Sequence, residues 1–319
     1  MKVKKVLVLG GAGCIGFQVC KLLERKKTKV ILFDLPEKIN KIGIKKSKYL
    51  TLFGGSIMDR LSLEEAIKDC NVVVHLAAYL GVHRTEKNKS RCIEINIGGT
   101  KNVIDVVNKS SDVKKIIFAS SSEVYGEPIS NPVNEKDMTQ GKTVYAVTKL
   151  AGEEMVKANF ELKKINYVIL RYFNTFGPYQ VSQFVIPKFI SLIRKNKRPV
   201  INGDGKQTRS FTYSKDSAIA TVKCIFSNKT NNKVINIGND NSKISIINLC
   251  KMISKLMKKN IEPKINLNFK KGDRNKNREI YNRICDIKLA KKLIKFRPRY
   301  SLRDSIVETI KENKNFETW

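Results

Sequence analysis

At 319 residues, with an ordinary 41% apolar share, the chain can build one two-lobed domain or two small ones, and it has no apolar run long enough to span a bilayer. Its formal net charge of +33, from 62 Lys+Arg against 29 Asp+Glu, invites a nucleic-acid reading, but the lysines are spread along the chain and mixed with asparagine rather than gathered in a tail or stripe. Seven scattered cysteines, no Cys-x-x-Cys pair and only two histidines, His75 and His83, argue against a disulfide framework or a metal site.

The N-terminus, Met1-Lys2-Val3-Lys4-Lys5, leads directly into Val6-Leu7-Val8-Leu9 and a glycine loop, without the apolar stretch and cleavage site of a secretory signal. This reads as a cytoplasmic protein with no membrane partner. Strands are predicted at Lys5–Leu9, Lys29–Phe33, Tyr49–Phe53, Val72–Leu76, Lys115–Ala119 and Asn166–Leu170. Amphipathic segments at Gly16–Arg25, Leu63–Asp69 and Ile93–Asn108 lie between them. Such alternation predicts an α/β fold, a Rossmann-type doubly wound parallel sheet with helices on both faces. After about Arg171 the pattern loosens at Pro178, Pro187 and Pro199, and Asn202-Gly203-Asp204-Gly205 marks a turn. Helices are expected again at Ser245–Lys258 and Leu302–Asn313. The expected division is 1–171 for a dinucleotide-binding domain and 172–319 for a smaller C-terminal α/β substrate lobe, with a late strand at Val234–Ile237 returning to the main sheet.

The first strand runs into Gly10-Gly11-Ala12-Gly13-Cys14-Ile15-Gly16, and a helix follows. Glycines permit a tight turn and close approach of backbone to pyrophosphate, and the helix N-terminus presents free N–H groups to the anion. Asp34 ends the second strand, roughly 20 residues on, where an acidic residue binds the ribose 2′-hydroxyl and repels a 2′-phosphate. NAD is therefore expected rather than NADP.

Taken in order, these and the later motifs resemble the extended short-chain dehydrogenases, specifically the NAD-dependent nucleotide-sugar epimerases and dehydratases, over nearly the whole chain. The Gly10-x-x-Gly13-x-x-Gly16 spacing, His75-Leu76-Ala77-Ala78, Asn96-Ile97-Gly98-Gly99-Thr100, Ser120-Ser121-Ser122-Glu123-Val124-Tyr125-Gly126 and Tyr145-Ala146-Val147-Thr148-Lys149 carry the resemblance. Arg171-Tyr172-Phe173-Asn174 with Gly177-Pro178, and Gly203-Asp204-Gly205-Lys206-Gln207-Thr208-Arg209, look like its nucleotide-sugar half. The resemblance implies a cofactor site of Gly10, Gly13, Cys14, Ile15, Gly16, Asp34, Ser56, Ile57, Leu76, Ala77, Ala78, Asn96, Tyr145 and Lys149. It implies a nucleotide-sugar substrate held by Ser121, Ser122, Asn174, Arg209 and Lys270, and a homodimer through helices around Ile93–Asn108 and Tyr145–Phe160. Two departures stand out. Gly55-Ser56-Ile57-Met58-Asp59 has Ser where the family often has an adenine-contacting Asp, and Lys270-Lys271-Gly272-Asp273 has a point charge where the family has a forked arginine.

Tyr145 and Lys149, four apart, share one helix face. A phenol of pKa about 10 is a poor base, and an ammonium at ~4 Å and an effective dielectric of ~20 would lower it by up to ~3 before desolvation opposes the effect. Tyr145 can then take a proton from a sugar hydroxyl while hydride leaves. The resemblance implies that the carbon is C4 and that Ser121 bonds the same hydroxyl. Epimerisation needs no further group, whereas elimination needs a base at C5 and an acid for the leaving hydroxyl. In the dehydratases that the chain resembles the motif is commonly Thr-Asp-Glu or Thr-Ser-Glu; the resemblance implies that Ser121-Ser122-Glu123 fills the base position with Glu123 and lacks the aspartate. Related decarboxylases also carry Ser-Glu here. A carboxylate there is costly unless used or paired, with Arg171 or Arg209 as expected partners. The residues favour dehydratase or decarboxylase chemistry with Ser121, Glu123, Tyr145 and Lys149 as the catalytic set. A 4-epimerase is the alternative, and a non-enzymatic nucleic-acid-binding relative a distant one.

Overall fold

The structure, a computed structural model, describes residues 3–267 and 280–312. In chain order it forms β1 (Lys5–Leu9), α1 (Cys14–Arg25), β2 (Lys29–Asp34), α2 (Pro36–Ile42), β3 (Leu50–Gly54), α3 (Arg60–Ala66), β4 (Val72–His75), α4 (Val82–Lys87) and α5 (Lys89–Ile93). A π-helical turn, Glu94–Gly98, leads into α6 (Gly99–Lys109) and β5 (Lys115–Ser121). A 3₁₀ turn, Ser122–Tyr125, precedes α7 (Val144–Phe160) and β6 (Asn166–Tyr172). There follow β7 (Thr175–Phe176), α8 (Val185–Arg194), β8 (Val200–Asn202), β9 (Thr208–Ser210), β10 (Thr212–Tyr213), α9 (Ser214–Phe226), β11 (Lys233–Ile237) and β12 (Lys243–Ser245). The last elements are α10 (Ile246–Leu256), β13 (Lys264–Asn266), β14 (Asn282–Arg283), α11 (Lys288–Ile294) and α12 (Leu302–Glu312).

Seven strands form one parallel sheet in the order β11-β6-β5-β4-β1-β2-β3. Its strands are apolar on both faces because helices cover both. Val6, Val8, Leu32, Val74 and Ile117 pack on one side with α1 and α9 residues such as Val19, Leu23 and Ala220. Leu7, Leu9, Phe33, Val73 and Phe118 pack on the other with Leu63, Val103 and Val156 from α3, α6 and α7. The strand order reverses between β1 and β4. A crevice at the carboxyl ends of the strands, at such a switch point, is where doubly wound sheets bind ligands. A third core joins Phe176, Phe189, Ile193, Ile201, Leu249, Ile253 and Ile306 beneath the small sheets β12-β9-β14 and β13-β8.

Two sequence expectations are corrected. The single helix expected over Ile93–Asn108 is broken by the π turn, whose Asn96 hydrogen-bonds outside the helix. Strands β5 and β6 each run two residues further than expected, to Ser121 and Tyr172. The extra residues include Ser120 and Arg171, whose polar side chains both bond Glu153 inside the core.

Candidate active site

The glycine loop hangs from the edge between β1 and β2. The N–H groups of Gly10 and Gly11 both donate to the Phe33 carbonyl, at 2.9 and 3.0 Å. A Cβ on Gly16 would stand 2.1 Å from the Gly10 carbonyl oxygen, so α1 can pack against the loop only with glycine there. A Cβ on Gly13 would meet only that same oxygen, at 3.3 Å, and otherwise open space. The helix starts at Cys14 with no side-chain cap, so its first N–H groups are free to meet an anion. Asp34 is buried, and its two carboxylate oxygens accept from the Ala12 and Leu35 N–H groups at 3.0 and 2.9 Å. Desolvation raises its pKa, with Lys38 opposing. These residues fit an adenine dinucleotide: a turn closed from behind, an open helix N-terminus in front, and an oriented carboxylate beyond.

Of the other expected cofactor residues, Ser56 and Ile57 follow β3, and Leu76, Ala77 and Ala78 follow β4. Leu76, Ala77 and Ala78 leave the end of β4 half-buried, with the Leu76 N–H on the Leu9 carbonyl at 2.9 Å. Ser56 spends its hydroxyl on the Met58 N–H at 3.2 Å, and Ile57 packs under Gly99. Asp59, the last residue of that motif, caps α3 through Leu61 and Ser62. Asn96 clamps the Tyr79 backbone from both sides, at 2.7 and 3.0 Å, and donates to the Thr148 hydroxyl at 3.1 Å. It thus joins the β4 loop to α7. His75 is buried with its Nε2 3.1 Å from the Thr100 hydroxyl, which itself donates to the Asn96 carbonyl. Nε2 must therefore carry the proton, and burial pulls the imidazole pKa down to about 3, so it stays neutral.

Ser121 ends β5, and Tyr145 and Lys149 lie on α7, whose first turn is capped by the Thr143 hydroxyl accepting from Ala146 at 3.1 Å. The structure brings the four expected residues together. Lys149 is buried with Nζ donating to the Ala119 carbonyl at 2.9 Å and standing 5.9 Å from the Tyr145 ring centre. The expected lowering of the Tyr145 pKa is not what this arrangement does. Desolvation raises it above the ordinary value, the Glu123 charge adds to that, and the hydrogen bond with Ser121 opposes. The ammonium is turned toward a carbonyl, and burial pulls its own pKa to about 8. A neighbouring cation would be needed to make Tyr145 a base.

Neither Arg171 nor Arg209 pairs with Glu123 in the way expected. Arg171 binds Glu153 through two parallel bonds at 2.9 and 2.7 Å. Arg209 donates to the Thr208 and Tyr281 carbonyls. Among the described residues Glu123 pairs with Arg283, whose Nη2 donates to Oε1 at 2.5 Å. Arg283 is 1% exposed, and its Nε and Nη1 have no hydrogen-bond partner among the described residues. It sits on β14 directly opposite Arg209 on β9, so two buried arginines stand side by side. Sequence reasoning missed Arg283. In a chain so rich in basic residues, nothing about Asn282-Arg283-Ile284 marks it; only the pairing of β14 with β9 does.

Of the expected substrate residues, Ser122 is buried in the 3₁₀ turn, while Ser121 and Glu123 remain partly exposed. Asn174 ties its side-chain amide to the Ser210 carbonyl at 2.9 Å. Lys270 lies outside the described residues. Among the described residues no cluster of His, Cys, Asp or Glu could hold a metal ion, and no helix is long and apolar enough to cross a membrane.

The family model described as "NAD dependent epimerase/dehydratase family" matches residues 6–238. The chain belongs to that family. It is 33% identical to the UDP-N-acetyl-alpha-D-glucosaminuronate decarboxylase of Bacillus cytotoxicus, over 98% of this chain and 99% of that one. Among solved structures, the UDP-N-acetylglucosamine 4-epimerase of Methanobrevibacter ruminantium in complex with UDP-N-acetylmuramic acid superposes with a TM-score of 0.86, at 32% identity and 98% coverage of both chains. The UDP-glucuronic acid 4-epimerase of Bacillus cereus, in complex with UDP-glucuronic acid and NAD, gives 0.87 at 29% identity, covering 97% of this chain and 99% of that one. The protein is thus an NAD-dependent enzyme of nucleotide-sugar chemistry.

Proposed function

We propose that the protein decarboxylates a nucleotide-bound uronic acid after transient oxidation at C4. The observation that carries this reading is Arg283: a buried guanidinium beside the catalytic residues, held by Glu123, with two nitrogens left for another anion. A sugar carboxylate matches such a guanidinium in charge. Dehydration is less well served. Glu123 is engaged by Arg283, and Ser122 supplies no acid for a leaving hydroxyl. The Bacillus cytotoxicus relative, named as a uronate decarboxylase, supports the same choice.

NAD, when bound among the residues named below, would supply a reversible hydride acceptor. Tyr145 takes the proton of the C4 hydroxyl, with Ser121 orienting that hydroxyl. A positive charge held beside Tyr145 would offset the burial of its phenol. With C4 a ketone, the C6 carboxylate becomes a β-keto acid. The C5–C6 bond breaks, its electron pair moves into the C4 carbonyl, and carbon dioxide leaves. C5 takes a proton from solvent, and the C4 hydroxyl is restored with Tyr145 giving its proton back. Gly10, Gly13, Cys14, Ile15, Gly16, Asp34, Ser56, Ile57, Leu76, Ala77, Ala78 and Asn96 surround the dinucleotide in this reading. Asn174 and Arg209 hold the nucleotide diphosphate, within a lobe built from 172–319 less the returned strand β11 and helices α9 and α11, which pack on the main sheet. Free thiols at all seven cysteines suit the reducing cytoplasm.

The test is a panel of UDP-glucuronate, UDP-N-acetylglucosaminuronate, UDP-glucose and dTDP-glucose, with products read by mass and NMR. Loss of carbon dioxide from a uronate is expected. Loss of water from a neutral hexose, or an unchanged mass with inverted C4, would overturn the reading in favour of a dehydratase or the 4-epimerase. A homodimer is also proposed, because Ile93 on α5 and Val147 on α7 are about half exposed on neighbouring helices, at 48% and 52%. Light scattering should give twice the chain mass, and a clean monomer would contradict it.

A further inference from the structure

A buried polar cluster between α7 and β6 takes no part in the reaction above. Its hub is Arg171, 5% exposed. Two of its nitrogens grip Glu153, and its Nη1 donates to the Tyr125 hydroxyl at 2.9 Å and the Glu135 carbonyl at 3.3 Å. Glu153 follows Tyr145 and Lys149 at four-residue steps, so all three share one face of α7. Ser120, next to Ser121 on β5, donates to the same Glu153 carboxylate at 2.5 Å. Tyr125 is 1% exposed, and its hydroxyl donates to Asn236 Oδ1 on β11, at 2.7 Å. Asn236 in turn holds the 126–143 loop, donating to the Val133 carbonyl and, from its backbone, to Glu135.

Tyr125 is the last residue of the 3₁₀ turn that carries Glu123. At its other end the turn is fastened by the Ser121 hydroxyl, which accepts from the Glu123 N–H at 3.2 Å. A single 3₁₀ turn has poor internal hydrogen-bond geometry, so its two fastenings decide where Glu123 points. We propose that Tyr125, held by Arg171, is a positioning residue that sets Glu123 and its Arg283 partner against the sugar once C4 is oxidised. This rests on the decarboxylase reading for what that pair does. The phenol does not exchange protons itself, since burial lifts its pKa further above the ordinary value. Its ring meets the Arg171 guanidinium at 4.8 Å and the Phe173 ring at 6.0 Å. Tyr125→Phe keeps those contacts and the Arg171–Glu153 pair, and removes only the hydroxyl.

In Tyr125→Phe assayed with UDP-glucuronate and UDP-N-acetylglucosaminuronate, kcat should fall on the order of 10- to 100-fold, the cost of a small misplacement. KM should stay within about twofold, because the lost contact serves the reaction and not binding. Oxidation at C4 uses residues outside the turn, so near-ultraviolet absorbance should show reduced nicotinamide accumulating during turnover. Amide hydrogen exchange, measured without sugar, should quicken over 122–127 and nowhere else. Thr221→Val deletes another fully buried hydroxyl, on α9, and should do none of this. Wild-type exchange across the turn would overturn the proposal, as would a loss of kcat without reduced nicotinamide or one matched by Thr221→Val. A wrong decarboxylase reading shows separately, as the wrong product from the unmodified enzyme, while the exchange measurement still decides whether Tyr125 fastens the turn.

Discussion

Lys149→Met is expected to melt at a higher temperature than the unmodified protein while losing product formation by roughly 10²–10⁴-fold, the scale of a disabled proton transfer. The two effects have one origin. Burial pulls the Lys149 pKa from 10.5 to about 8, which means the folded chain carries the ammonium at a cost. That gap corresponds to about 3 kcal/mol at neutral pH, where the lysine is charged in both states. Losing the bond to the Ala119 carbonyl returns about 1 kcal/mol of the gain. Between pH 8 and about 10.4 the unfolded chain binds the proton and the folded one does not, so wild-type stability rises with pH through that window. The advantage of the methionine variant should be full below pH 8 and gone above roughly pH 10. Thermal unfolding of the cofactor-free protein at pH 7 and pH 10 tests this. A variant that melts lower at pH 7, or that keeps its advantage at pH 10, would show that the ammonium is not held at a cost. Tyr145→Phe should lose activity without the stability gain, because a neutral phenol has no charge to return to water.

The fold and the cofactor side of the site were legible because local chemistry dictates them. The glycine spacing follows from a loop that must turn and admit pyrophosphate. Strands buried on both faces read as unbroken apolar runs, and Tyr145 and Lys149 are neighbours on any helix. What was hidden depends on long-range pairing. Arg283 meets Glu123 across 160 positions because β14 pairs with β9. The partners expected from sequence for Glu123 failed because Arg171 had a closer claim from Glu153, further along α7. The ends of β5 and β6 were cut short for the same reason: Ser120 and Arg171 look like loop residues until the buried carboxylate that satisfies them is placed. The direction in which the Tyr145 pKa moves also depends on geometry. The spacing of four puts the ammonium near the phenol, but its direction toward the Ala119 carbonyl, the burial of the phenol and the charge of Glu123 on the other side decide the sign.

Glu123→Gln is expected to bind a uronate more tightly and turn it over more slowly. In the unmodified protein the Glu123 carboxylate balances Arg283, whose guanidinium is 1% exposed. Removing one partner of a buried pair leaves the other uncompensated, at a cost of roughly 3–5 kcal/mol, less here because Glu123 retains some contact with solvent. A substrate carboxylate then becomes the counter-ion for Arg283, and part of that cost is recovered on binding. Each ~1.4 kcal/mol recovered lowers KM about tenfold. The same grip opposes the reaction, since the carboxylate must give up its charge as carbon dioxide forms, and an interaction stronger in the ground state than in the transition state slows the step. Oxidation at C4 relies on Ser121, Tyr145 and Lys149, so reduced nicotinamide should build up. In deuterium oxide the residual product should lack the carboxyl carbon and carry solvent deuterium at C5. The competing chemistries give other outcomes with the same variant. If Glu123 removes a C5 proton for dehydration, a neutral hexose is the substrate, its KM is unmoved, and the product has lost water. If the enzyme is a 4-epimerase, Glu123 is a bystander: turnover stays close to that of the unmodified protein, the product mass is unchanged, and no deuterium enters C5. That last pattern would defeat the decarboxylase reading outright.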